Sequence, residues 1–157
     1  MSARALNILL VEDNPDHAEL VRRSLERFQF ASFLHHVEDG EVALDFIFGR
    51  ARYADRARFP QPDLVLLDLR LPRVDGFEVL RHVKGHPTLY ALPIVVLTTS
   101  DAERDVAMAY EYHANSFVTK PVDHHRLSQL IKDLEFYWLA WNQNPLPANP
   151  PPGGDRP

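Results

Sequence analysis

The 157-residue sequence predicts an α/β fold, a doubly wound parallel sheet of five strands that alternate with five helices. Three apolar runs rich in Val, Ile and Leu lie at Ile8–Val11, Leu64–Leu67 and Ile94–Leu97. Their hydrophobicity is continuous rather than alternating, which is typical of strands buried on both faces of a sheet. Segments with the apolar spacing of helices fall between these runs, so strand and helix alternate along the chain.

The first strand, Ile8–Val11, is followed by the signals of a helix start. Asn14 is a favourable N-cap, and Pro15 suits the first helical position because its missing N–H would be unpaired there. Apolar residues then recur at steps of three and four, the spacing of one buried helical face: Ala18, Val21, Leu25 and Phe28. The first helix is therefore predicted from Pro15 onward.

Weaker patterns supply the remaining elements. Phe33–Val37 is predicted as the second strand and Ser116–Thr119 as the fifth. Four further helices are predicted, in chain order, over Val42–Phe48, Phe77–Val83, Ala102–Tyr112 and His124–Trp141. Each of them follows a strand, as the alternating pattern requires.

Two segments fall outside this plan. Gly49–Pro62 is polar and rich in Arg, and we expect a long loop or a helix extension there. Asp55 interrupts its run of Arg and the chain is acidic overall, so a solvated loop is favoured over a nucleic-acid site. Asn144–Pro157 contains six of the thirteen prolines and two of the six glycines. We therefore predict a folded domain over residues 6–142 and a Pro-rich, disordered tail over residues 143–157.

Composition narrows the function classes. The net charge of −5 argues against direct binding to nucleic acid, which requires concentrated Lys and Arg. The absence of cysteine excludes disulfide frameworks, thiolate zinc sites and cysteine nucleophiles. The N-terminal apolar run is too short for a signal peptide or a membrane span. We expect a cytoplasmic protein that does not bind membranes.

The aromatic end of the last predicted helix carries more apolar surface than one core-facing stripe requires. Surplus aromatic surface of this kind is typical of interfaces. We interpret it as a homodimer contact made by Phe136, Trp138 and Trp141.

Polar residues follow or end four of the strands, at Glu12, Asp13, Asp68, Thr98 and Lys120. The carboxyl ends of parallel strands meet at one edge of a sheet, so these groups converge. Any one of these carboxylates could be solvated or cap a helix, as Asp13 could beside Pro15, but together they form a specific pattern. Three neighbouring carboxylates repel one another and require a cation, and Mg²⁺ prefers such oxygen ligands.

These residues, with Leu71-Pro72, Asp75-Gly76 and Pro121, match a family pattern in order and approximate spacing. The sequence resembles the receiver domains of two-component response regulators over about Leu6–Leu134. The resemblance implies a flavodoxin-like fold with strand order 2-1-3-4-5.

The resemblance also implies a role for each site residue. Asp68 would be the phosphoacceptor. The Mg²⁺ ligands would be Glu12, Asp13, Asp68 and the backbone carbonyl of Arg70. Groups that contact the phosphoryl group or switch in response to it would be Thr98, Lys120 and Phe117. A cis peptide bond would precede Pro121.

In function, the resemblance implies a domain that accepts a phosphoryl group from a sensor histidine kinase and passes the signal to a downstream protein or a phosphotransfer protein. It would not be an enzyme beyond its own self-phosphorylation and dephosphorylation. The segment after the last helix is too short and Pro-rich to form a DNA-binding output domain. Three features resemble the small receivers that partner phytochrome kinases, which would imply red-light signalling. They are the insert after the second helix, Gly49–Pro62, the run Leu97–Ser100 and the aromatic run Phe136–Leu139.

Three other classes of protein share part of this pattern. A phosphatase of the haloacid dehalogenase type places its Asp-x-Asp motif after the first strand, whereas Asp68 follows the third and Arg70 stands where the second Asp would be. A flavodoxin-like cofactor binder would not place two carboxylates, Glu12 and Asp13, in its phosphate loop. A pseudo-receiver that signals without phosphorylation is the remaining alternative.

Overall fold

The computed structural model describes residues 6–26, 32–99, 102–121 and 123–137. Its five strands are, in chain order, β1 (Leu6–Val11), β2 (Ser32–Val37), β3 (Leu64–Leu67), β4 (Ile94–Thr98) and β5 (Ser116–Thr119). They form one sheet in which every pair is parallel, with the order β2-β1-β3-β4-β5. The predicted fold class and strand order are therefore confirmed.

The helices lie between and after these strands. They are α1 (Pro15–Glu26), α2 (Gly40–Phe48), α3 (Gly76–Lys84), α4 (Glu103–Glu111) and α5 (His124–Phe136). The start of α2, two residues before the prediction, is set by Asp39, whose side chain accepts a hydrogen bond from the backbone N–H of Val42 at 2.8 Å. The final residues of the predicted last helix and the whole predicted tail lie outside the described residues.

The core consists of two apolar clusters, one on each face of the sheet. Successive side chains of β3 alternate between them: Val65 and Leu67 pack with α2, α3 and α4, whereas Leu64 and Leu66 pack with α1 and α5. All four are buried, which explains the continuous hydrophobicity of the strand. Within the described residues, no helix has the length and apolar character needed to cross a membrane.

The segment after α2 folds onto the domain, which corrects the prediction of a solvated loop. It contains a short 3₁₀ turn, Ala51–Tyr53, and Tyr53 is only 7% exposed. The ring centroid of Tyr53 lies 4.8 Å from that of Phe46 and 5.0 Å from that of Phe59. Aromatic residues thus anchor the insert, while its Arg52 and Arg58 remain exposed as expected.

Arg56 fixes the insert to the end of α2. Its guanidinium donates to the backbone carbonyls of Phe46 at 2.8 Å, Ile47 at 2.7 Å and Phe59 at 3.2 Å. The first two carbonyls belong to the last turn of the helix, where the usual helical donors run out, and that of Phe46 accepts one further hydrogen bond, from the backbone N–H of Gly49 at 3.2 Å. Because one planar guanidinium serves all three oxygens, Arg56 joins the two segments.

The substitution Arg56→Lys is expected to destabilise the domain by about 1–3 kcal/mol, because an ammonium cannot reproduce the planar fork and leaves carbonyls unpaired. Urea denaturation monitored by circular dichroism measures this loss. Arg58→Lys is the matched control, since Arg58 is exposed and lies 5.3 Å from the Phe59 ring. Equal stabilities of the two variants would contradict the assigned role of Arg56.

Candidate functional site

The site lies at the carboxyl edge of the sheet, where the residues that follow β1 and β3 meet. Val11 of β1 is in register with Leu67 of β3, so the loops after the two strands begin side by side. One carboxylate oxygen from each of Glu12, Asp13 and Asp68 lies within 4.8 Å of the others. Glu12 and Asp68 are buried whereas Asp13 is exposed, so the cluster opens to solvent on one side.

Lys120 brings the opposite charge to this edge from the end of β5. Its side chain is 3% exposed, and its Nζ donates to Glu12 Oε2 at 2.8 Å and to Asp68 Oδ2 at 3.2 Å. The backbone N–H of Lys120 donates to the carbonyl of Thr98 at 2.7 Å, which fixes the chain as it leaves β5. The structure therefore brings together four of the residues predicted for the site from three separate strands.

His17, in the first turn of α1, is a site residue that the sequence analysis did not identify. Its Nδ1 lies 3.2 Å from Lys120 Nζ and 3.4 Å from Glu12 Oε1. Burial, followed by the positive charge of Lys120, lowers the pKa of His17. The neutral ring then accepts a hydrogen bond from Lys120, whose third donor is thereby used. The predicted start of α1 at Pro15 was the available signal, since it places the first helical turn beside Glu12 and Asp13.

The two predicted switch residues occupy different environments. Thr98, at the end of β4, is completely buried and hydrogen-bonds to Asp68. Phe117, in β5, is partly buried and packs against the core on the α4 side of the sheet. Its backbone N–H donates to the hydroxyl of Tyr110 at 3.2 Å, which joins β5 to α4. Thr98 thus contacts the reactive carboxylate, and Phe117 lies between the sheet and α4.

Two close contacts to the backbone hold the loops around Asp68. His36, on β2, lies with its Nε2 2.7 Å from the backbone carbonyl of Glu12, which supports the end of β1. Gly76, the first residue of α3, passes so close to the loop that a Cβ atom there would lie 2.4 Å from the carbonyl oxygen of Asp68. The Asp75-Gly76 pair therefore has a packing role, since Asp75 caps α3 and Gly76 allows the close approach.

The predicted cis peptide bond before Pro121 is not found. The described residues contain no cis peptide, so the bond between Lys120 and Pro121 is trans. Proline reduces the preference for trans to about 0.5–1 kcal/mol, and trans remains the more stable isomer unless the surroundings favour cis. The predicted dimer contact falls on the Phe136 side chain, Trp138 and Trp141, which lie outside the part of the chain that the structure describes. Metal ligation by the Arg70 carbonyl stays a prediction.

The pKa values of Glu12 and Asp68 are shifted in opposite directions. Burial, together with a hydrogen bond to Asp68, raises the pKa of Glu12 to about 8. Burial acts to raise the pKa of Asp68 too, but the hydrogen bond from Glu12 and the charge of Lys120 hold that pKa below its usual value. The raised pKa of Glu12 and the lowered pKa of Asp68 make Glu12 the carboxyl of the pair that takes up a proton first as the pH falls.

This cluster fits a hard divalent cation. Three carboxylate oxygens converge, they are the ligand type that Mg²⁺ and Mn²⁺ prefer, and the exposed side at Asp13 leaves room for water ligands. A single Lys120 ammonium cannot neutralise three carboxylates, and the raised pKa of Glu12 allows a proton there to take up part of the excess charge. A bound cation would replace that proton.

Affinity for Mg²⁺ is expected to rise with pH, by up to about tenfold per pH unit below a pH of about 8, and then to level off. The sign follows from the raised pKa of Glu12: below pH 8 the side chain keeps a proton that the cation must displace. Isothermal titration calorimetry in buffers of different ionisation enthalpy measures both the affinity and the proton release. Glu12→Gln, which has no proton to release, should bind weakly with a flatter pH profile. Equal wild-type affinity at pH 6.5 and 8.5 would contradict the expectation.

Fold and site together define a class: a flavodoxin-like α/β domain with an acidic site for a divalent cation at the carboxyl edge of its parallel sheet. The chain belongs to the response regulator receiver domain family, whose match extends over residues 8–132. It is also 44% identical over 141 residues to the probable methanogenesis regulatory protein FilR2 of Methanothrix harundinacea, which covers 90% of this chain and 88% of that protein.

Two solved structures are similar throughout. The phosphorylated cyanobacterial phytochrome response regulator RcpA has a TM-score of 0.86 and 36% identity, covering 91% of this chain and 100% of its own. The Mn²⁺-bound form of response regulator Rcp1 of Synechocystis has a TM-score of 0.83 and 38% identity, covering 90% and 99%. The resemblance to receivers is confirmed, and relatives of this chain include phytochrome response regulators.

Proposed function

We propose that this protein is a single-domain response regulator that accepts a phosphoryl group from a sensor histidine kinase on Asp68 in a Mg²⁺-dependent reaction. One observation carries the proposal. The ionised Asp68 carboxylate lies at the sheet edge between Lys120 Nζ, at 3.2 Å, and the two further carboxylates of the cluster. The structure of RcpA in its phosphorylated form and that of Rcp1 with Mn²⁺ support the chemistry by analogy.

In the proposed reaction, a carboxylate oxygen of Asp68 attacks the phosphorus of a phosphohistidine. A new P–O bond forms, the P–N bond breaks, and the leaving imidazole nitrogen takes up a proton. The lowered pKa of Asp68 keeps the nucleophile ionised, and Lys120 supplies positive charge next to it. Glu12, Asp13 and Asp68 would hold the Mg²⁺ ion, which would supply further positive charge to the phosphoryl oxygens when bound.

The proposed output is a conformational change that alters protein binding. The buried Thr98 hydroxyl contacts Asp68 in the unmodified state, so new phosphoryl oxygens would compete for its hydrogen bond. Phe117, on the neighbouring strand, would then move with Thr98 and change the surface formed by β5 and α4. The protein would modify no separate substrate, and its downstream target would be another protein or a phosphotransfer domain.

We further propose that the donor is a cytoplasmic kinase of the phytochrome type, and that the partner protein is therefore a light sensor. The likeness to RcpA supports this assignment. The likeness to FilR2, a probable regulator of methanogenesis, supports the wider alternative that receivers of this kind serve several inputs. Reconstitution with a purified phytochrome kinase in red and far-red light would distinguish the two.

A homodimer formed by Phe136, Trp138 and Trp141 is proposed as well. Trp138→Ala is expected to shift the protein from dimer to monomer in sedimentation velocity at micromolar concentration, because it removes a large aromatic side chain from the interface. A wild type that is already monomeric, or a variant that stays dimeric, would contradict this proposal.

The test of the central proposal is phosphorylation by acetyl phosphate, with and without Mg²⁺, read by intact mass. We expect the wild type to gain one phosphoryl group only with Mg²⁺, and Asp68→Asn to gain none. Asp75→Asn is the matched control, because its side chain caps α3 and Asn also caps helices. If the Asp68→Asn protein also gained a phosphoryl group, the assignment of Asp68 as the acceptor would be contradicted. If the wild type neither reacts nor binds Mg²⁺, the chain is a pseudo-receiver that signals by binding alone.

A further inference from the structure

Arg70 links the loop of the phosphoacceptor to α4. It stands two residues after Asp68, and its Nη2 donates to Asp105 Oδ2 at 2.8 Å. Asp105 lies in the first turn of α4. This ion pair therefore connects the loop that carries the reactive carboxylate to a helix that contributes nothing else to the predicted site.

The two partners are buried very unequally. The side chain of Asp105 is 3% exposed, whereas that of Arg70 is 64% exposed. A buried carboxylate depends strongly on its counter-charge, because water cannot replace that charge. An exposed guanidinium remains hydrated wherever it moves. Arg70 is consequently the partner that can leave, and Asp105 is the fixed acceptor that draws it towards α4.

Arg70 is also tied to the reactive carboxylate. Its backbone N–H donates to Asp68 Oδ1 at 3.4 Å, so the base of its side chain lies next to the group that would be modified. A phosphoryl group on Asp68 would bring about two negative charges and three acceptor oxygens to this position. Guanidinium groups bind such oxygens in a bidentate manner, so the phosphoryl group and Asp105 would compete for the same cation.

We propose that Asp105 is a positioning residue that holds the Arg70 guanidinium away from Asp68, and that phosphorylation transfers this guanidinium from Asp105 to the phosphoryl oxygens. The inference rests on the proposed function and adds a route by which the site acts on α4. When Arg70 leaves, the buried carboxylate in the first turn of α4 loses its ion pair with this guanidinium. The phosphorylated loop and the position of α4 are thereby coupled.

The test is the rate of phosphorylation by acetyl phosphate in Mg²⁺ at low salt. Asp105→Asn keeps the shape of the side chain and frees Arg70, so the rate should rise about threefold to tenfold through attraction of the anionic donor. Arg70→Met removes the guanidinium and should lower the rate. The double variant should react like Arg70→Met, because Asp105 acts only through Arg70. A merely structural role of the ion pair would not produce opposite changes.

Arg73→Met is the matched control. Arg73 lies in the same loop, and its ion pair with Glu41, at 3.1 Å, is exposed on both sides and does not involve α4. It should react at the wild-type rate. The inference would be overturned if Asp105→Asn raised the phosphorylation rate in the Arg70→Met background, or if the two single variants changed that rate in the same direction. Either result would leave the proposed function intact. A wild type that takes up no phosphoryl group would overturn both.

A second measurement covers the case in which Asp105→Asn folds poorly. Hydrogen exchange of the α4 amides should accelerate when the wild type is phosphorylated. In Arg70→Met, whose altered side chain is largely exposed, exchange should already be fast, and phosphorylation should add little. An unchanged phosphorylation-dependent increase in Arg70→Met would overturn the proposed coupling.

Discussion

Lys120→Met is expected to lower the rate of Asp68 phosphorylation about a hundredfold or more, the loss typical of removing a preorganised charge or donor beside the reacting group. It should also destabilise the metal-free domain by about 3–5 kcal/mol, because Lys120 pairs with the buried Glu12 and Asp68 at 2.8 and 3.2 Å. Methionine keeps the length and the apolar stem of the side chain. Saturating Mg²⁺ should recover part of the stability, but not the rate, since it restores charge without the ammonium donor.

Acetyl phosphate kinetics and urea denaturation measure the two effects. Lys84→Met is the matched control, because Lys84 is also a partly buried lysine but lies away from the site and donates to Leu92 O at 2.6 Å and Asn115 Oδ1 at 2.9 Å. It should lose stability without a change in the rate of phosphorylation. A Lys120→Met protein that reacts as fast as wild type would show that Lys120 only balances charge.

Gly76→Ala is expected to have the second-largest effect. Its new Cβ would lie 2.4 Å from the carbonyl oxygen of Asp68 and 2.7 Å from Leu69 Cα, and both are backbone atoms that cannot rotate away. Either α3 or the phosphoacceptor loop must shift. We expect a loss of about 1–3 kcal/mol in stability, and a loss of about tenfold to a hundredfold in rate because the nucleophile is displaced.

Gly85→Ala is the control, because it places an alanine at the opposite end of α3, away from the phosphoacceptor loop. Gly85 has φ of −83°, which alanine adopts readily, and its Cβ would meet only Arg81 O, at 2.9 Å. Its effect on stability should be smaller and its phosphorylation rate should equal that of wild type. If both glycine variants lose the same activity, the close approach of Gly76 does not position Asp68.

The sequence was most informative where one physical cause acts on a whole segment. The run Leu64–Leu67 coincides with β3 because burial on both faces selects four apolar residues in succession. The convergence of Glu12, Asp68 and Lys120 also followed, since parallel strands leave their carboxyl ends at one edge. Both inferences needed only the pattern along the chain and the handedness and direction of strands, which are general properties.

Contacts between distant side chains were not predictable in the same way. The composition around Arg56 predicts a solvated loop, yet its guanidinium donates to carbonyls at the end of α2. The contact of His17 with Lys120 and the ion pair between Arg70 and Asp105 join segments 103 and 35 residues apart. Which of several nearby partners a long polar side chain chooses depends on rotamers and on local burial, and neither leaves a periodic trace in the sequence. The isomer of the peptide bond before Pro121 could not be predicted from the sequence either, because the free-energy difference between cis and trans is small and the surroundings decide it.

The position of Lys120 has a consequence for the synthesis of the protein. The carboxylates of the site follow β1 and β3, two adjacent strands in the middle of the sheet, whereas Lys120 follows the outermost strand, β5. During translation the acidic residues therefore leave the ribosome long before the lysine that balances them. A nascent chain that stops short of β5 would hold these like charges together with no ammonium between them. Release of the last strand thus completes both the sheet and the charge balance of the site, so a product truncated before Lys120 would lack a competent site.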